Sequence, residues 1–153
     1  MQMIPIATVH SPRAEAVDDN WDDITSTVEI DADRFTPESV LGLDEFSHIE
    51  VVFVFDRRDP DAVQTGARHP RNNPDWPSVG IFAQRNSNRT NLLGVTICRL
   101  LTVDGLTLTV QGLDAIEGTP VLDIKPYVRE YAPRGDIRQP RWVTELMRNY
   151  WTS

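Results

Sequence analysis

The chain has 153 residues, 40% hydrophobic and 25% charged, a near-average balance that excludes disorder throughout and predicts one domain over residues 1–153. Its formal charge of −8 excludes non-specific wrapping of nucleic acid, which needs cations to displace counterions from phosphates. One cysteine, Cys98, excludes an internal disulfide, His10, His48 and His69 lack metal-ligand spacing, and no apolar run approaches the roughly 18 to 20 residues of a membrane span.

Taken in order, the apolar pattern reads mostly as strands. Residues 4–9 form a first strand that stops at Ser11-Pro12, and Thr25–Ile30 a second. Thr36, Pro37 and Glu38 look like a cap followed by proline in the first helical turn, predicting a short helix over residues 38–43. Residues 49–55 are a continuous β-branched and aromatic run, which predicts a strand buried on both faces. Residues 79–83 are another short strand. Residues 94–103, the Asp104-Gly105 turn and residues 106–110 form a hairpin. A last strand covers residues 121–124. At the end of the chain Trp142, Val143, Leu146, Met147, Tyr150 and Trp151 recur at helical spacing, a stripe expected to dock on the body or on a partner. Many short strands with two small helices predict a mainly-β, compact barrel or sandwich.

Charge is uneven. Residues 1–61 hold 15 acidic and 4 basic residues, whereas residues 62–153 hold 8 and 11. Of the 15 basic residues only Lys125 is lysine, and arginines gather at positions 57, 58, 68, 71, 85 and 89. No G-x-G-x-x-G follows a strand, and neither a phosphate-binding loop of the G-x-x-x-x-G-K type nor a G-x-S-x-G elbow occurs. Ser47 beside His48 is no nucleophile–base pair on a strand, because adjacent residues there face opposite ways. Two polar segments remain. Residues 80–94 combine Arg85 and Arg89 with Asn86, Asn88 and Asn91, a composition suited to binding an anion. Residues 114–127 contain a tight turn at Glu117-Gly118-Thr119-Pro120, then Asp123, Lys125 and Tyr127, which strict alternation would put on one face together with Val121.

At these residues the chain resembles the TsaA-like or YaeB-like (TrmO) family of S-adenosylmethionine-dependent tRNA methyltransferases. The resemblance rests on ATVHSPR, LGLDEFSHIEVVFVF, RHPR, VGIFAQRNSNRTNLLGVT and EGTPVLDIKPY, in that order, over about residues 4–128. Departures from the family pattern include Gln84 for threonine and Glu117 for aspartate. Asp18, Asp19, Asn20, Trp21, Asp22 and Asp23 stand where many members carry P-R-Q.

The resemblance implies a β-barrel that forms a homodimer, binds S-adenosyl-L-methionine and methylates N6 of threonylcarbamoyl-adenosine in tRNA. It places cofactor contacts on Asp56, Arg57, Arg85, Leu108, Glu117, Gly118, Thr119 and Pro120, with Arg85 suited to the methionyl carboxylate. Methyl transfer from a sulfonium needs alignment and a base rather than a covalent intermediate. Asp114, Asp123 and Tyr127 are the candidate bases, and Arg68, Arg71, Arg89 and Lys125 the candidate phosphate contacts. Two other readings stay open: a dimeric cofactor-binding module without methyl transfer, and a methyltransferase with a small-molecule acceptor. No metal and no membrane are expected, and the location is expected to be cytoplasmic.

Overall fold

A computed structural model describes residues 1–152. Among them six strands close a barrel in the order β1 (Ala7–His10), β2 (Thr25–Ile30), β7 (Thr107–Gln111), β6 (Leu93–Asp104), β3 (His48–Val54) and β8 (Pro120–Pro126). Every neighbouring pair is antiparallel. Closure removes the unpaired edges that an open sheet would present. A separate two-stranded ribbon, β4 (Ala67–Arg68) with β5 (Val79–Gly80), lies in the long loop between β3 and β6. Of the strand expected at residues 79–83, only the first two residues pair; Ile81–Ala83 form a 3-10 turn.

Alternation fills the interior. Val9, Val28, Ile30, Ile49, Val51, Phe53, Leu108 and Val110 point inward and are buried, while Thr8, Glu29 and Glu50 between them point out. The run at residues 49–55 is therefore not buried on both faces. Val52 and Val54 lie half-buried on the outer wall, because a barrel has a single interior. Gly94 sits opposite Phe53, and a Cβ there would stand 2.4 Å from the ring.

The last strand departs from strict alternation. Phe53 pairs with Val121 and Val52 with Asp123, so Leu122 is an extra residue in a β-bulge. Val121 and Ile124 consequently both pack toward the core, and Asp123 faces outward. This corrects the expectation that Val121 and Asp123 share a face.

Helix is scarcer than the sequence predicts. The short helix expected over residues 38–43 is a 3-10 helix at Pro37–Val40; the path leaves helical geometry at Leu41 and Gly42, whose φ is 83°, and a second 3-10 helix follows at Leu43–Glu45. The C-terminal stripe forms α1 (Arg141–Leu146) and a 3-10 turn, Met147–Asn149. The last carbonyls of a helical segment have no partner within it. Here the carbonyls of Asn149, Tyr150 and Trp151 accept the N–H groups of Asn20, Trp21 and Asp22 at 2.9, 2.9 and 2.8 Å. Trp76 Nε1 donates to Glu145 at 3.0 Å. The stripe thus docks on loops of its own barrel. No helix among the described residues is long and apolar enough to cross a membrane.

Candidate functional site

Antiparallel closure decides which loops meet. Thr8 pairs with Pro120, Phe53 with Val121, Val54 with Leu93, and Thr25 with Gln111. The ends of β1, β3 and β7 therefore share one rim with the starts of β2, β6 and β8. The loops at residues 11–24, 55–59, 80–92 and 112–119 all open there, joined by the docked C-terminal segment. Residues 80–92 of the first polar segment and residues 114–119 of the second lie on this rim; the rest of the second runs along β8 to the opposite end.

The turn at residues 116–119 is bound tightly to its neighbours. The N–H groups of Glu117 and Gly118 donate to the carbonyls of Arg13 (2.7 Å) and Val9 (2.8 Å), and Thr119 donates through both N–H and Oγ1 to Ile116. Its backbone donors are thus spent inside the fold, which makes the turn a rigid wall. Gly118 has φ 81°, and a Cβ on it would come within 3.4 Å of Arg57 Nη2, so glycine serves both the turn and the approach of the guanidinium. Arg57 donates to the carbonyls of Glu117 at 2.6 Å and Ala14 at 2.8 Å, joining three loops. Asp56 beside it is exposed.

The carboxylate of Glu117 faces His10 and accepts from the Ser11 N–H at 2.7 Å. The His10 hydrogen bond, followed by the Ser11 N–H, holds this carboxyl below the usual glutamate range. His10 is held above the ordinary histidine value, chiefly by the same Glu117 hydrogen bond.

Asp114 accepts hydrogen bonds from Thr96 Oγ1 and Tyr150 Oη, one on each carboxylate oxygen. Burial first, then the negative charge of Asp114, push the Tyr150 phenol well above the ordinary tyrosine range; Arg85 and Arg71 oppose this from nearby. Arg85 is exposed and, among the described residues, donates to the Val95 carbonyl at 3.3 Å. Arg71, expected to contact phosphate, is instead paired with Asp19 at 2.8 Å and lies 3.8 Å from Asp18. Arg13 stacks 4.4 Å over Trp21 and donates to the carbonyls of Asp19 and Asn20, shaping the acidic loop from within.

Gln84, one of the departures, acts as a strut. Its Nε2 donates to the carbonyls of Arg68 and Val79, its Oε1 accepts from Asn86, and its carbonyl accepts from Arg89 at 2.7 Å. Arg68 donates to Asn72 at 2.8 Å. Gln84 thereby ties the ribbon to the arginine loop. Asn86 Oδ1 is buried without a hydrogen-bond partner in this loop.

Other candidates lie elsewhere in the chain. Leu108 is wholly enclosed in the barrel core and has no surface to offer a cofactor. Asp123 and Lys125 pair at 2.7 Å on the outer wall. Tyr127 lies past the end of β8, where its N–H meets the His48 carbonyl at the start of β3, on the opposite rim. Ser47 and His48 do meet, at 2.8 Å, because Ser47 precedes β3 and escapes its alternation. An open recess of about 540 Å³ lies on the outer face of β1 and β2, bordered by Pro5, Thr8, His10, Glu29, Asp31 and Asp33. Sequence reasoning missed His10 and Tyr150 as members of the rim. His10 lies within the ATVHSPR motif, but its neighbours come from distant strands; Tyr150 belongs to a stripe that reads as packing.

Residues 8–132 match the family model described as the tRNA-methyltransferase O N-terminal domain. The human tRNA (adenine(37)-N6)-methyltransferase is 36% identical over 114 residues, covering 74% of this chain and 25% of that protein. A probable S-adenosyl-L-methionine-binding protein of Pyrococcus abyssi is 34% identical over 140 residues, 88% of this chain and 72% of that one. A crystal structure of TrmO from Pseudomonas aeruginosa superposes with a TM-score of 0.74 and 27% identity, covering 93% of this chain and 61% of that one. The chain thus spans about a quarter of the length of the human relative.

Proposed function

Because the chain belongs to the family of the tRNA-methyltransferase O N-terminal domain, we propose that it transfers a methyl group from S-adenosylmethionine to N6 of threonylcarbamoyl-adenosine in tRNA. The observation that carries this reading is the gathering of Arg85, Asp114, Arg57 and the Glu117–Pro120 turn on one rim of one chain.

The residues of the rim suit such a cofactor. Arg85 has guanidinium donors beyond its contact with the Val95 carbonyl, the chemistry that a methionyl carboxylate requires. Asn86 adds a buried acceptor without a partner. With Asp18 and Asp19 offset by Arg71, Asp22 and Asp23 are the carboxylates of the acidic loop that favour a sulfonium cation electrostatically. The turn at Glu117, Gly118, Thr119 and Pro120, braced by Arg57, supplies a fixed wall against which a nucleoside lies. When bound, S-adenosylmethionine would supply a methyl carbon for in-line attack by an acceptor nitrogen, the N–C bond forming as the C–S bond breaks and the neutral thioether departs, a reaction that depends above all on alignment. The nitrogen sheds one proton. Asp114 is the candidate base on the same rim as Arg85, and each of its oxygens retains a lone pair beyond the bonds from Thr96 and Tyr150.

A second copy of the chain belongs to the proposal. Val95 and Ile97 present 39% and 44% of their surface on the outer wall of β6, beside half-buried Val52 of β3. Sedimentation of the purified chain reads this directly, and a monomer at micromolar concentration refutes it. Arg68 and Arg89 are the proposed phosphate contacts. One observation favours a smaller acceptor instead: Arg71 is neutralised by Asp18 and Asp19 and offers little to a phosphate. Mass spectrometry of tRNA nucleosides from a strain lacking the protein decides the matter. Loss of the methylated threonylcarbamoyl-adenosine supports the proposed substrate, and its persistence removes it.

A further inference from the structure

His10 ends β1 with both ring nitrogens facing carboxylates. Nδ1 lies 3.1 Å from Glu117 Oε1, and Nε2 lies 3.0 Å from Glu29 Oε2. A carboxylate only accepts hydrogen bonds, and neutral imidazole has a single N–H. A neutral His10 can therefore serve one of the two carboxylates and leaves a nitrogen lone pair facing the other. Only the imidazolium donates to both. The two partners come from different places, Glu29 from β2 and Glu117 from the rim turn. His10 in its charged form thus ties that turn to the barrel wall.

We propose that His10 is a positioning residue, an imidazolium clamp that fixes the Glu117 side chain between β1 and β2 and gives up one of its two carboxylates on deprotonation, slackening a turn that main-chain bonds to Val9 still hold. The consequence for ligand binding rests on the cofactor reading above; the clamp itself does not. Glu117 passes the constraint on, because its carbonyl holds Arg57 and its N–H holds Arg13. Loosening Glu117 therefore reaches both loops that border the turn.

Two carboxylates act on the His10 ring. Glu117 approaches from the rim loop and Glu29 from β2. Asp31 and Asp33 border the same outer recess as His10, and Arg34 reaches its Pro5 wall through a bond to the Pro5 carbonyl. Arg57 acts on Glu117 rather than on the ring. This surplus of negative charge favours the imidazolium, consistent with a histidine held above its ordinary value. The sign follows from that direction. A raised group contributes fully below its unfolded value of about 6.5 and is lost as pH climbs through the folded value. Glu117 is shifted down, so its part is present above the ordinary glutamate range and disappears in acid. The clamp is closed between those limits.

Proton NMR of the full chain across pH 5 to 9 tests the clamp without any ligand. The His10 ring is expected to titrate above 6.5, and the amide shifts of Glu117, Gly118 and Thr119 are expected to move with the same midpoint. In Glu29→Gln the midpoint should fall, and the amides should follow it down. Calorimetry with S-adenosylmethionine then reads the consequence. Affinity should decline about two- to fivefold between pH 6 and 8.5, the range open to a half-exposed ion pair, and His10→Gln should abolish that decline while keeping the affinity measured for the native chain at high pH. A His10 ring that titrates at or below 6.5, or turn amides indifferent to it, overturns the clamp. A pH profile in His10→Gln identical to the native one overturns its influence on the ligand. If no S-adenosylmethionine binds at any pH while the amides still track His10, the cofactor reading fails and the clamp stands.

Discussion

Replacing Gly94 with alanine tests how closely β6 approaches the Phe53 ring inside the barrel. The added Cβ would lie 2.4, 2.5 and 2.9 Å from Cε2, Cζ and Cδ2 of Phe53, where carbon atoms normally rest about 3.5 to 4.0 Å apart. The overlap is about 1 Å, and Phe53 has little room to yield. It is 1% exposed and meets Phe55 edge to face at 5.3 Å. Because Gly94 and Phe53 are direct cross-strand partners, relief requires either a strained ring rotamer or separation of β3 from β6. Forced repacking of this kind costs about 1 to 3 kcal/mol, and a close approach to a buried ring places Gly94→Ala near the upper end. Urea unfolding should show a lower midpoint at unchanged slope. Phe53→Leu loses buried surface itself, but it withdraws the atoms that clash. The double variant should therefore be more stable than the sum of the single losses predicts, by about 1 kcal/mol or more. A Gly94→Ala protein within about 0.5 kcal/mol of the native one, or strict additivity of the pair, would refute the steric argument.

Tyr150→Phe removes the bond to Asp114 and should lower stability at pH 7 by about 1 kcal/mol, as expected when a half-buried acceptor loses one donor. The native phenol is raised, so its contribution is complete below about pH 10 and is lost as pH rises through the folded value. Thermal melts should accordingly show the gap between native and variant narrowing above pH 10, and an equal gap at pH 7 and 10.5 contradicts this role of the Tyr150 phenol. The Cys98 thiol is 2% exposed and is pushed up to about 12, first by burial and then by the charge of Asp114. Labelling by a thiol reagent at pH 8 should therefore follow the rate of unfolding, and rapid stoichiometric labelling of the folded chain rules this out. Arg85→Ala should weaken S-adenosylmethionine binding about tenfold or more, since charge-assisted hydrogen bonds are the stronger kind. Undiminished affinity by calorimetry removes the anion site.

The barrel was legible because its signals are local. Alternation at residues 107–110 and the Asp104-Gly105 turn specify a hairpin without help from the rest of the chain, and Gly105 does adopt a positive φ of 57°. The two polar rim segments were visible for the same reason. What escaped depends on partners far away in sequence. His10 is separated from Glu117 by 107 positions, and Tyr150 from Asp114 by 36. The bulge at Leu122 has no turn residue to announce it, so counting by twos puts Asp123 on the wrong face. The helices came out shorter than their periodicity because Gly42 interrupts one, and the other turns to 3-10 geometry after Leu146, shortly before its carbonyls meet the N–H groups of residues 20–22.

Deleting one amino acid from a strand ordinarily turns every following side chain inside out. The extra residue in β8 makes one position an exception. Were Leu122 lost, Val121 would still oppose Phe53, Asp123 would still oppose Val52, and the ladder would simply become regular. A single-codon deletion scan across β8 should therefore find its mildest stability loss at Leu122. Length variation between the rim turn and the barrel wall has a place to accumulate there without carrying a carboxylate into the interior.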